Sequence, residues 1–178
     1  MDIEKIKEER HELLIRIRDS LLEELVACDI REPEGENEPE ILTVVLDGIG
    51  EAGDMEGGIG EFFFAPPSSE EDTVQHFCAV LTLMDDLGSE HLPELFEAMS
   101  YINFRLPCGS YSVDSDASLL CYRLVTPVPM RLSGEELFEQ MNVSMANAFT
   151  AADLYADMLI KLSAGEKSLK EINDVIAG

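Results

Sequence analysis

The sequence predicts an α+β domain, an antiparallel sheet of about five strands with helices on one face. Three observations carry this. Short β-branched or aromatic runs follow one another in hairpin and meander order, and amphipathic helical patterns stand before, between and after them. Strands do not alternate with helices in the way a doubly wound fold requires. The predicted order is α-β-β-β-α-β-β-α, plus a short C-terminal helix. At 178 residues and 46% hydrophobic, the chain has the size and apolar content of one globular domain. That domain is expected over residues 1–165, with 166–178 as a helical tail.

Residues 3–29 repeat Ile3, Ile6, Leu13, Leu14, Ile17, Leu21 and Leu25 near a 3.6-residue period, which predicts an N-terminal helix. The segment 31–40 has two prolines, a glycine and five glutamates, and reads as an exposed acidic linker. Ile41 to Leu46 is the first strand. A glycine-rich stretch leads to a second from Ile59 to Ala65, which Pro66-Pro67 closes. Val74 to Met84 is the third. Ser89 is placed to cap the second helix, Pro93 fits its first turn, and Leu92, Leu95, Phe96, Met99, Ile102 and Phe104 form its stripe. Ser110 to Val113 and Leu119 to Val125 form a hairpin around Asp114 to Ser118.

The last large helix opens on a capping box, Ser133 with Glu136 three residues on. Its stripe of Leu137, Met141, Met145, Ala148, Ala152, Tyr155, Leu159 and Leu162 predicts about eight unbroken turns. Gly165 stands where a helix-ending glycine belongs, and a short helix is expected from Ser168 to Ile176.

Charge narrows the function. Twelve basic and 37 acidic residues give a net charge of −25. Residues 32–104 contain no Lys or Arg and 18 acids. Such a field repels nucleic acid and anionic lipid, because phosphate binding rests on cationic side chains displacing counterions. A basic partner, a cation, or an apolar surface that tolerates an acidic rim fits better. No apolar run approaches the length of a membrane span and no secretory signal is visible, so the expected location is the cytoplasm. Cys28, Cys78, Cys108 and Cys121 are scattered without a CxxC pair, as for reduced core thiols.

Motifs that imitate chemistry have simpler readings. Gly48-Ile49-Gly50-Glu51-Ala52-Gly53 matches GxGxxG after a strand. However, Asp54 to Gly60 cannot form the helix that would receive a pyrophosphate, and carboxylates surround the site. Asp47, Glu51, Asp54, Glu56 and Glu61 make the loop 47–61 an alternative site for a hard cation, although EF-hand spacing is missing. Asp114-Ser115-Asp116 resembles an aspartyl-phosphate pair but fits a turn better. His76 and Cys78 share a strand face without the four ligands zinc requires. His11 and His91 lie outside any nucleophile context. No catalytic residue, metal or cofactor is expected, and the protein is read as a non-enzyme. Met141, Met145, Phe149, Tyr155 and Met158 are the candidate protein-binding residues, since part of a helix some 30 residues long should outreach one small sheet and methionine adapts to varied apolar partners.

The run from Leu92 to Leu162 resembles the YbjN-like family of bacterial proteins, whose fold is shared with type III secretion chaperones. The residues that carry the resemblance are Tyr101-Ile102-Asn103-Phe104-Arg105-Leu106-Pro107, the hairpin Gly109 to Asp116 with Leu119 to Leu124, and Leu132-Ser133-Gly134-Glu135-Glu136-Leu137. The acidic stretch 47–61 and the tail after Gly165 depart from it. The resemblance implies a non-enzymatic cytosolic homodimer that holds protein clients or regulates. It transfers no functional residue.

Overall fold

A computed structural model describes residues 3–33, 35, 38–49, 58–66 and 72–177. The first helix, α1 (Ile3–Glu23), buries Ile6, Leu13, Leu14 and Ile17 at the expected spacing. It ends six residues earlier than its apolar period suggests. Leu25 turns into the left-handed region at φ 64°, Val26 N–H donates to the Leu21 carbonyl (2.9 Å) and Leu25 N–H to that of Leu22 (3.1 Å). These are the two bonds of a Schellman terminus, built here without glycine. The released chain forms a strand that the sequence reading places inside the helix and linker, β1 (Cys28–Arg31).

Five further strands and a helix follow: β2 (Ile41–Leu46), β3 (Gly58–Phe64), β4 (Val74–Met84), α2 (Leu92–Asn103), β5 (Ser110–Asp114) and β6 (Leu119–Pro129). The sheet has six strands in the order β1-β2-β3-β4-β6-β5, one more than expected. Cys28 pairs with Val44 and Arg31 with Ile41, while Tyr111 pairs with Tyr122 in the β5–β6 hairpin, both antiparallel. The α2 cap is His91 rather than Ser89, with no side-chain cap bond, and Pro93 sits in the first turn as expected. Its buried stripe is Leu95, Ala98, Met99 and Ile102; Phe104 is 88% exposed.

The predicted eight-turn helix is two helices, α3 (Gly134–Asp153) and α4 (Ala156–Ser163). The cause lies 44 residues upstream. The Tyr111 hydroxyl donates to the carbonyls of Ala152 (2.6 Å) and Ala151 (3.2 Å) and accepts from Tyr155 N–H (3.2 Å). Ala151 carbonyl and Tyr155 N–H would bond each other in a continuous helix. A side-chain hydroxyl inserted between such partners interrupts the ladder. At the far end of α4 the reading holds: Gly165 is left-handed at φ 73°, with Glu166 N–H on the Lys161 carbonyl (2.8 Å) and Gly165 N–H on that of Leu162 (3.0 Å). The last helix, α5 (Leu169–Ala177), opens on a capping box that the sequence reading does not include, with Ser168 and Glu171 bonding reciprocally. It packs on α2 and buries Ile172.

Two compact units divide the chain. One comprises Met1–Val45, Ile59–Val80 and Val125–Ala146; the other Leu46–Gly58, Leu81–Leu124 and Asn147–Gly178. The first has a phenylalanine centre: Phe62 stacks on Phe77 (6.3 Å between centroids) and Phe64 leans on Phe77 (5.1 Å), with Leu14, Ile17, Leu42, Leu137 and Met141 fully buried. Each such side chain removed from water contributes about 1.5–3 kcal/mol. The second centres on Tyr111 and Tyr122, edge to face at 5.3 Å, with Leu95, Ile102, Leu120 and Leu159 buried.

Candidate functional site

Strand alternation gives the sheet of the first unit two unlike faces. Leu42, Val44, Phe62, Phe64, Phe77 and Val128 point to the buried face. Both helices of this unit meet that face, α1 through Arg10 Nε on Gln75 Oε1 (3.3 Å) and α3 through Ser144 Oγ on Thr126 Oγ1 (2.6 Å). The alternate residues form the open face. Val45, Val74 and Val125 are each 40% exposed and Ile59 44%, while Ile41, Thr43, Phe63 and Val80 are half-buried. The polar members of this face are Asp29 (opposite Thr43) and His76, both exposed, and Arg31, which pairs with Glu61 at 3.2 Å. Apolar side chains left on a sheet surface in this density mark a binding surface more often than isolated exposed residues do.

Among the described residues, one buried side chain of this unit is charged, Arg10 of α1. Arg10, 4% exposed, donates from Nη1 to the Leu132 carbonyl (3.0 Å), and its guanidinium lies over the Phe64 ring (5.1 Å). Its Nη2 is buried without a hydrogen-bond partner. Burial pulls its pKa below the usual arginine range, against an opposing pull from Glu9. Beside it lies a cavity of about 510 Å³, walled by α1, the segment around Pro39, and Phe64. On the outer surface of α1, Arg16 lies over the Phe138 ring (3.6 Å) and pairs with Glu135 (2.8 Å), which raises Arg16 and lowers Glu135 through their hydrogen bond. Exposed pairs of this kind contribute little.

The residues singled out from the sequence fall in both units. Met141 and Met145 lie in the first unit and are buried. Phe149, Tyr155 and Met158 lie in the second unit and are half-buried. The long-helix argument that joined them lapses with the break at Leu154-Tyr155. Asp114 turns on itself, its Oδ1 accepting from the N–H groups of Asp116 and Ala117 at 3.0 Å, as the turn reading expects. His76 is exposed and Cys78 buried, and all four cysteines are thiols. Most of the acidic loop 47–61, namely residues 50–57, lies outside the described residues. Among the described residues no three His, Cys, Asp or Glu side chains are grouped to hold a metal ion. No described helix is long and apolar enough to cross a membrane.

The open face was not legible as a site because each of its strands reads as an ordinary buried run. The usable signal is an aliphatic residue at the alternate positions of four strands, Val45, Ile59, Val74 and Val125.

Fold and surface together define an α+β protein with a six-stranded antiparallel sheet and an apolar open face. In sequence, no family profile and no curated protein matches the chain. Among solved structures it is similar to an uncharacterized protein from Methanothermobacter thermautotrophicus at 14% identity, covering 84% of this chain and 97% of that one with a TM-score of 0.46. It is also similar to YbjN from E. coli at 14% identity, covering 82% of this chain and 91% of that one with a TM-score of 0.42.

Proposed function

We propose that this protein is a non-enzymatic, cytoplasmic protein-binding module, chaperone-like or regulatory, that engages a polypeptide through the open sheet face of its first unit. The observation that carries the reading is the set Val45, Ile59, Val74 and Val125, four aliphatic side chains from four strands, each at least 40% exposed. The acidity of residues 32–104 adds a preference for partners with basic flanks, and it disfavours nucleic acid and anionic membranes. A second copy of the chain is one such partner, making a homodimer; a client segment is the other.

The test compares the native chain with Val45→Lys/Ile59→Lys. Both substituted side chains are already exposed, so circular dichroism should not change. Light scattering reads the oligomeric state, and affinity capture from cell lysate at low and moderate salt reads clients. A dimer or a reproducible partner that the double variant loses supports the proposal. A native chain that is monomeric and captures nothing above background overturns it, and so does a partner that the double variant retains in full.

A further inference from the structure

The cavity beside Arg10 carries an inference separate from the sheet face. In the first unit Arg10 is buried with backbone and amide partners; among the described residues no carboxylate is bonded to it, and Glu9 acts on it only through space. Its Nη2 has no hydrogen-bond partner. A buried charge of this kind is costly unless something supplies both an acceptor and a counter-charge.

The cavity wall is otherwise divided by charge. On α1, Lys7 and Arg10 stand one turn apart and share a face. From the segment after β1 come Glu32, Glu38 and Glu40, the last held by His11 Nδ1 at 2.8 Å. Leu14, Phe64 and Pro39 give apolar surface among them. At about 510 Å³ the volume lies within the ~300–1,000 Å³ of small-molecule sites, and the mix of apolar wall with a few fixed polar groups is typical of them. A plain anion would satisfy Arg10, but it would have to approach a protein of charge −25 and then face three glutamates. A plain cation would leave Arg10 as it is. A ligand carrying both charges and no net charge meets neither objection.

We propose that this cavity binds a small zwitterion with an apolar body, an α-amino acid of the phenylalanine or leucine kind. Its carboxylate lies on Arg10, its ammonium against the acidic wall of Glu32 and Glu38, and its side chain over Leu14 and Phe64.

The test is calorimetric titration of the full chain with L-phenylalanine and its two truncated analogues, phenethylamine (no carboxylate) and 3-phenylpropionate (no ammonium). Backbone amide NMR of residues 7–14 is followed in parallel. Phenylalanine should bind saturably with a Kd on the order of 1 mM or tighter, and each analogue at least ~10-fold more weakly. Glu32→Gln/Glu38→Gln, two exposed positions whose loss should not disturb folding, should weaken phenylalanine while leaving 3-phenylpropionate unchanged or tighter. Arg10→Met should abolish phenylalanine binding if it folds; the glutamate variant decides the matter if it does not. Equal binding of either analogue overturns the assignment. No saturable heat and no shift of residues 7–14 with phenylalanine or leucine overturns it as well.

Discussion

Tyr111→Phe removes one oxygen atom from the place where the last long helix divides. The ring stays: Tyr111 is 3% exposed and meets Tyr122 edge to face at 5.3 Å, and phenylalanine preserves both the burial and the contact. What goes is the bond to Ala152 carbonyl at 2.6 Å, its weaker companion to Ala151 at 3.2 Å, and the acceptor for Tyr155 N–H at 3.2 Å. A neutral hydrogen bond contributes about 1 kcal/mol net, and a buried group left unpaired costs about 1–3 kcal/mol. Against this, Ala151 and Tyr155 can close the helical bond that the hydroxyl had held apart, recovering about 1 kcal/mol. The balance is a loss of about 2 kcal/mol. For a chain of this size that lowers Tm by about 4–8 °C. Urea unfolding gives the free energy, and amide exchange at Tyr155 reports whether the helical bond has formed. A stability change below about 0.5 kcal/mol with Tyr155 exchange unaltered would refute the view that the hydroxyl divides the helix.

Three further outcomes follow from equally local features. Burial pushes the phenols of Tyr111 and Tyr122 up from their ordinary value, so both stay neutral in the fold while the unfolded chain ionises near pH 10. Their contribution is complete below pH 10 and lost as pH rises from there toward the folded values; Tyr111 alone should cost about 1.4 kcal/mol per pH unit, a slope that Tyr111→Phe removes in alkaline denaturation. Leu25→Gly should stabilise the chain by about 1 kcal/mol in urea, because Leu25 is left-handed at φ 64° and 93% exposed, so little packing is lost. Gly109→Ala should destabilise by about 2–4 kcal/mol and disturb the Tyr122 hydroxyl bond to Cys108 carbonyl (2.8 Å), since at φ 64° a methyl would strike that hydroxyl and come within 2.8 Å of Arg123 carbonyl. An unchanged melting curve for the alanine variant would contradict this packing.

What the sequence shows is uneven, and the reasons are physical. Strands β2, β3, β4 and β6 and the α1 stripe announce themselves, because burial on one face writes a period of two or 3.6 into the residues themselves. The Gly165 terminus is equally visible, since glycine is the residue that its backbone favours. The matching terminus at Leu25 is not: a leucine there continues the apolar period and hides both the end of α1 and strand β1 behind it. The division between α3 and α4 is invisible locally, because its agent sits on β5. Arg10 reads as one more surface charge on an amphipathic helix; only the arrival of Gln75, Leu132 and Phe64 encloses it. The burial of Met141 and Met145 is hidden for the converse reason, since the same helical spacing serves a core as well as a binding stripe. The open sheet face needed tertiary structure, because exposure belongs to the assembled sheet and not to any strand.

The pairs Arg31–Glu61 and His11–Glu40 tie the acid-rich middle of the chain to side chains outside it. A fold assembled this way resembles a charged conductor whose like charges are brought closer as the chain compacts. The work of assembly is then done partly by the surrounding electrolyte, through counterions gathered within a Debye length of about 10 Å at 0.1 M salt. Added salt should therefore stabilise this protein by screening its like charges more than it weakens its ion pairs.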